Sequence, residues 1–233
     1  MIKEAIILAG GLGTRLRSVV ADLPKCLADV NGRPFLFYVL QYLKRNGIKK
    51  FIFSLGYKSS EVEAFIKLNL LKADYSVVVE QDPLGTGGGI QLAMDKTKDS
   101  HCIVVNGDTY FDVNLQDFSL LHINEDADCT ISLKPMENFS RYGSVEIDDN
   151  YTIVSFKEKQ FIESGFINGG VYALNKATFL QHNFASKFSF EKDYLEPNVG
   201  SKKLKGFIQD EYFIDIGIPE DYKKAQTELI AHI

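Results

Sequence analysis

The sequence predicts an α/β fold, a Rossmann-like three-layer α/β/α arrangement around a mostly parallel mixed sheet, and three observations lead to it. Apolar runs and helix-length amphipathic stretches alternate through about residue 135, the βαβ order of a parallel sheet covered on both faces. Beyond residue 140, short apolar runs follow one another with turn residues between them, as antiparallel strands do. The 233 residues, 45% hydrophobic and 24% charged, are expected to form a single domain over 1–233 with core enough to need no disulfide staples.

Taken in order, Ala5-Ile6-Ile7-Leu8-Ala9 is a buried strand ended by Gly10-Gly11. Pro34 opens a helix through Leu43, and Asn46-Gly47 stops it. Phe51–Leu55 is the next strand, and Ser59 or Ser60 is placed to cap a helix over Glu61–Leu68. Strand Ser76–Glu80, a glycine loop, a helix through Ala93 and strand Cys102–Asn106 continue the alternation. Val145–Asp148 and Ile153–Lys159 read as a hairpin about Asp148-Asp149-Asn150. Strands follow at Gly170–Leu174, Gly206–Gln209 and Tyr212–Ile216, and Pro219 starts a last helix with Glu220 and Asp221 in its first turn.

Composition excludes several classes. Lys+Arg 26 against Asp+Glu 31 gives a net charge of −5, the wrong sign for a generic binder of nucleic acid or anionic membranes. Neither partner is expected. The three cysteines (Cys26, Cys102, Cys129) lack metal-ligand spacing and read as reduced thiols of a cytoplasmic protein. No signal peptide or membrane-spanning run is visible. An anionic ligand therefore needs local positive charge, and two of the five arginines, Arg15 and Arg17, share one glycine-rich loop.

That loop, Leu8-Ala9-Gly10-Gly11-Leu12-Gly13-Thr14-Arg15-Leu16-Arg17, directly follows the first strand. Ligands of open α/β sheets bind at the carboxyl ends of strands. Glycines let backbone N–H groups approach a nucleotide, and Arg15 adds a planar fork of donors for phosphate. Leu16 stands where the dinucleotide fingerprint requires a third glycine, and no Gly-Lys pair of a P-loop occurs. A dinucleotide-dependent oxidoreductase is disfavoured accordingly.

With Pro24-Lys25-Cys26-Leu27 and Asn31-Gly32-Arg33-Pro34 added, the loop resembles the signature of the sugar-1-phosphate nucleotidyltransferases, which have the nucleotide-diphospho-sugar transferase fold. The resemblance continues at Pro83–Gly88, Asn106-Gly107-Asp108, Phe156–Lys159, Asn168–Tyr172 and Ile214–Glu220, in the family's order. Cys26 departs from the proline many members carry. The resemblance implies a nucleotide-binding half over about 1–135 and a sugar-phosphate-binding half over about 136–233. No length is left for a C-terminal β-helix or acyltransferase domain, so no second activity is expected.

The implied reaction is attack by a sugar-1-phosphate oxygen on the α-phosphate of a nucleoside triphosphate. Its nucleophile is already an anion, so charge neutralisation, in-line positioning and a metal clamp are what it needs. By resemblance, Asp108 and Asp215 are the ligands of Mg²⁺, a hard cation suited to carboxylates plus phosphate oxygens. Arg15 and Lys25 neutralise nucleotide phosphate, with Arg17 secondary. Lys159 meets the sugar phosphate, and Arg15, Lys25, Asp108 and Lys159 form the catalytic set. Leu8, Ala9, Gly10, Gly11, Gly13, Thr14, Glu80, Gly85, Thr86, Gly88 and Asn106 complete the nucleotide site. Gly143, Glu158, Asn168, Gly169 and Asp215 complete the sugar-phosphate site.

Base choice rests on Glu80, which falls where thymidylyl and uridylyl relatives place a glutamine. A carboxylate only accepts hydrogen bonds, which matches the N1–H and N2–H₂ donors of guanine and favours GTP. The motifs around Asn106, Phe166, Phe188 and Phe213 look most like the D-glycero-D-manno-heptose 1-phosphate guanylyltransferases, which implies GDP-heptose production for a bacterial surface glycan. The alternatives are a mannose-1-phosphate guanylyltransferase, a short uridylyltransferase, or a regulatory module that binds a nucleotide sugar without turnover. Assembly into a homo-oligomer is left open.

Overall fold

The computed structural model describes residues 1–11, 16, 23–157 and 159–232. Strand β1 (Glu4–Ala9) lies between β4 (Lys50–Leu55) and β6 (His101–Asn106), parallel to both, and β5 (Asp74–Val79) extends the sheet beyond β4. Side chains alternate across a strand, so Ile6 joins one apolar cluster with Ile52, Ile90 and Val104, while Ile7 joins another with Phe35, Leu36 and Phe53. Continuous apolar runs are what a strand covered on both faces requires. The mixed half begins at β11 (Ile162–Asn175), antiparallel to β6, to β9 (Ser144–Ile147) and to β8 (Cys129–Phe139). The hairpin β9–β10 (Ile153–Lys157) ends the sheet on this side, and β12 (Leu204–Ile208) runs parallel to β8.

Among the smaller elements, β2 (Asp29–Val30) and β3 (Arg33–Pro34) form a short hairpin that leads into α1 (Phe35–Arg45). Pro34 precedes α1 and Asn46 ends it, and Lys44 and Arg45 lie in its last turn, where the helix dipole favours cations. Three local expectations are corrected. Helix α2 (Ser59–Asn69) is preceded by Lys58 in the left-handed region at φ 52°, and the Ser60 hydroxyl donates to Glu61 instead of capping the backbone. The second glycine cluster is the first turn of α3 (Gly85–Met94), not a loop before it. Strand β8 and helix α4 (Leu115–Asn124) escape the periodicity reading. Pro135 disguises β8, and it is tolerated because β12 pairs with β8 only as far as Leu133. Helix α4 is capped by Asn114, whose side chain accepts from the N–H groups of Gln116 and Asp117. Among the described residues no helix is long and apolar enough to cross a membrane.

Packing explains Gly87. The Phe188 carbonyl accepts from the N–H groups of Gly87 and Gly88, and a Cβ on Gly87 would stand 2.2 Å from the Phe188 ring. Gly87→Ala is expected to lower stability by about 1–3 kcal/mol through overpacking, despite a helix-propensity gain of about 1 kcal/mol. Urea denaturation checks this; a raised midpoint would show that the ring moves aside.

His122 on α4 is fully buried, with Nε2 3.0 Å from His101 Nδ1 and Nδ1 2.8 Å from Thr130 Oγ1. Burial first, then the nearby His101, pull its titration from the ordinary 6.5 down to about 3, against a smaller opposing pull from Asp126. The unfolded chain takes up a proton that the folded state refuses. Its contribution to stability is therefore present above pH 6.5 and declines as pH falls toward 3, at up to about 1.4 kcal/mol per pH unit. Urea titrations at successive pH values should show this acid limb flattened in His122→Gln relative to wild type.

Candidate active site

The site grows from the carboxyl ends of β1 and β6. Leu8 pairs with Asn106 across the two strands, and the Gly107 N–H donates to the Leu8 carbonyl at 2.8 Å. A Cβ on Gly107 would stand 2.9 Å from that carbonyl, so only glycine lets the two strand ends meet there. Leu8-Ala9-Gly10 thus runs beside Asn106-Gly107-Asp108. From the other side, Glu80 reaches this edge just beyond β5. Its Oε2 accepts from the Leu84 N–H at 2.9 Å, and its Oε1 occupies the space a side chain on Gly10 or Gly89 would need. Ser54, a polar residue inside an apolar strand, lies 3.5 Å from the same carboxylate. That interruption of the apolar run was its signal in the sequence.

Three charged groups converge beside these strand ends. Strand β13 (Phe213–Asp215) pairs antiparallel with β7 (Thr109–Phe111), setting Asp215 opposite Thr109 and next to Asp108. Lys25, in a short 3₁₀ turn after Pro24, extends Nζ between the two acids, 2.6 Å from Asp108 Oδ2 and 3.3 Å from Asp215 Oδ1. The lysine is nearly buried, at 11% side-chain exposure. Burial, and then the Asp108 charge, raise the Asp215 carboxyl above the usual range, while Lys25 and the Gly217 N–H pull it back. Cys26 is no nucleophile: burial first, then Asp108, push its thiol up to about 12.

The donor set suits a hard divalent cation. Among the described residues no group of three His, Cys, Asp or Glu is arranged to hold a metal. Two carboxylates that already surround one cationic group fit an ion that takes its remaining ligands from phosphate and water.

On the sugar side, Ile167 pairs with Ser144 across β11 and β9, which puts Gly143 and Asn168 at neighbouring positions. Asn168 is held by its own turn, donating to the Tyr172 hydroxyl and accepting from the Gly170 N–H. Gly170, at φ 75°, packs on the Asn106 amide, so β11 touches the strand-end edge at β6 directly. Lys159 is exposed and among the described residues makes no hydrogen bond or ion pair, so it is not joined to the three-charge cluster. Gly11 is exposed next to Gly10. Gly13, Thr14, Arg15, Arg17 and Glu158 lie outside the described residues.

Four of the expected contact residues also have packing roles. Gly85 and Gly88 direct the faces a side chain would occupy at the carbonyls of Phe188 and Ser186, each 2.5 Å from an ideal Cβ. Thr86 uses its hydroxyl to donate to Glu191 and to accept from the Phe190 N–H. These residues anchor the 186–191 chain, so the glycines and the hydroxyl are required there for packing. Gly169 is buried, with Phe111 and Ser132 where its side chain would be. Sequence reasoning also missed the aromatic wall behind Asp215, where Tyr142 packs edge-on to Phe213 and Phe213 edge-on to Phe111.

The chain is 49% identical over 99% of its length to the whole of a D-glycero-alpha-D-manno-heptose 1-phosphate guanylyltransferase from Aneurinibacillus thermoaerophilus. It is 44% identical over 94% of its length to a protein of the same name from Campylobacter jejuni, covering 96% of that protein. The crystal structure of HddC from Yersinia pseudotuberculosis superposes with a TM-score of 0.87 at 41% identity, covering 97% of this chain and 98% of HddC. The same protein complexed with GMP-PN gives a TM-score of 0.86. The nucleotidyl transferase family matches residues 4–232. With strand ends, charged cluster and near-full-length similarity in agreement, the chain belongs to the nucleotidyl transferase family and is an enzyme that transfers a nucleotidyl group.

Proposed function

We propose that this chain transfers GMP from GTP to D-glycero-D-manno-heptose 1-phosphate, releasing pyrophosphate and GDP-heptose, in the cytoplasm and for a bacterial surface glycan. The observation that carries the reading is the placement of Lys25 between Asp108 and Asp215 beside the ends of β1 and β6. It is supported by two heptose 1-phosphate guanylyltransferases at 49% and 44% identity and by HddC crystallised with GMP-PN.

The sugar-phosphate oxygen attacks the α-phosphate in line, so the chain's task is to hold two anions together. Lys25 supplies a cation at the reaction centre, with Arg15 and Lys159 proposed to neutralise the nucleotide and sugar phosphates. Asp108 and Asp215 would hold Mg²⁺, whose chemistry in such a site is to draw charge from phosphate oxygens. Backbone from Leu8 through Gly11, with Gly13, Thr14 and Asn106, would face the nucleotide. Glu80, which lies against Gly10 and Gly89, would accept from the guanine N1–H and N2–H₂. Gly143, Glu158 and Asn168 would receive the sugar.

Asp108→Ala should lower turnover by about 3 kcal/mol or more, over a hundredfold, with thermal unfolding close to wild type because the side chain is 37% exposed. A pyrophosphate-release assay reads this, and near-wild-type turnover would remove Asp108 from the reaction. Glu80→Gln keeps an acceptor for the Leu84 N–H and changes what the base meets. GTP use relative to UTP should weaken by about 1–3 kcal/mol, the cost of an unmatched buried donor. An unchanged preference in competition assays would place guanine recognition elsewhere.

A further inference from the structure

Behind Asp215 lies a cavity of about 380 Å³ that no expected site residue other than Asp215 itself lines. It is within the size range of small-ligand pockets. Its walls come from the end of β8 and the loop after it, from β13 and from α6 (Pro219–Glu228). Because Asp215 forms part of the wall, a ligand in the cavity is continuous with the reaction centre.

The lining has the two properties that recognise a polyol. Tyr142 and Phe213, edge to face with centroids 5.9 Å apart, present apolar surface to C–H groups. Arg141 and Asp221 present a donor fork and an acceptor side by side, with Nη1 2.7 Å from Oδ2. A hydroxyl both donates and accepts, so it can bond to both members of such a pair. Asp221 is 15% exposed while Arg141 is 42% exposed, so the carboxylate is set in place and the guanidinium stands at the mouth. Arg141 and Asp215 line the same cavity. Gly143, two residues on, lies beside the Asn168 position across β9 and β11. The loop that carries Arg141 and Tyr142 therefore runs from α6 to the proposed sugar site.

We infer that the Arg141–Asp221 pair, walled by Tyr142 and Phe213, is a specificity subsite for the exocyclic hydroxyl-bearing carbons of the sugar 1-phosphate. A heptose carries one more hydroxymethylene carbon there than mannose, and the subsite reads that difference. The inference rests on the heptose reading above. It adds residues which neither the family signature nor the phosphate chemistry requires.

Selectivity tests it. Rates of GTP-dependent pyrophosphate release are measured with D-glycero-D-manno-heptose 1-phosphate and with mannose 1-phosphate for wild type, Arg141→Ala and Asp221→Asn. The heptose-to-mannose ratio of kcat/KM should fall about tenfold or more in both variants, mainly through the KM for the heptose. Saturation-transfer NMR with the heptose 1-phosphate should show the C7 protons in contact with wild type and weakened selectively in Arg141→Ala. A pair that only ties the loop to α6 would depress both sugars alike, and that unchanged ratio overturns the subsite. A wild type that prefers mannose 1-phosphate overturns the heptose reading and the subsite with it. Retained heptose preference in both variants overturns the subsite alone.

Discussion

The site depends on one electrostatic contact, the Lys25 ammonium held between the carboxylates of Asp108 and Asp215. Two acids this close repel each other, and burial raises Asp215 further. A cation between them is what permits both to stand at the end of the sheet. The contact also links three distant parts of the chain: the turn after the glycine loop, the end of β6, and β13, which is brought in by its pairing with β7. The same arrangement suits the proposed phosphate transfer, because carboxylates that accommodate one positive group can recruit another as a metal ion. A net charge of −5 is therefore compatible with anionic substrates. Positive charge is needed locally, and acids can help to supply it.

Steric demands are the second constraint. The glycine clusters look alike in sequence, yet the structure uses them differently. Gly10 and Gly89 leave room for the Glu80 carboxylate. Gly85, Gly87 and Gly88 leave room for the chain at 186–188, whose Phe188 ring and carbonyl and Ser186 carbonyl occupy the space of the missing side chains. The interior is packed densely enough that an ångström decides between these uses. Thr86 shows the same division: a hydroxyl beside a nucleotide motif is spent on Glu191 and the Phe190 backbone.

Buried polar groups away from the site keep the frame in register. Glu4 accepts from the N–H groups of Lys98 and Asp99 and pairs with Lys50 at 3.5 Å, satisfying charges at the amino end of the sheet. His101 and His122 form a hydrogen-bonded contact between β6 and α4. These contacts lie at or near the far end of β6 and β1 from Asp108, so the carboxyl ends are left for the ligand.

The sequence by itself determined the elements whose signals are local. The apolar runs at Ala5–Ala9, Phe51–Leu55 and Cys102–Asn106 are strands because a two-faced core demands continuous apolar residues. Pro34 and Asn46-Gly47 bound α1 because proline fixes its own φ and Gly47 turns the chain at φ 80°. The chemical types needed at the site, glycines, basic residues and a few acids at strand ends, were legible in the same way. Strand β8, with Pro135 inside it, was not, because its stability comes from β11 and β12 and not from its own propensity. Nor was the meeting of Lys25 with Asp215, 190 residues apart, or the aromatic wall beside them. Periodicity reports which face of an element is buried. Which distant groups share that burial is decided only when strands pair and the chain closes on itself.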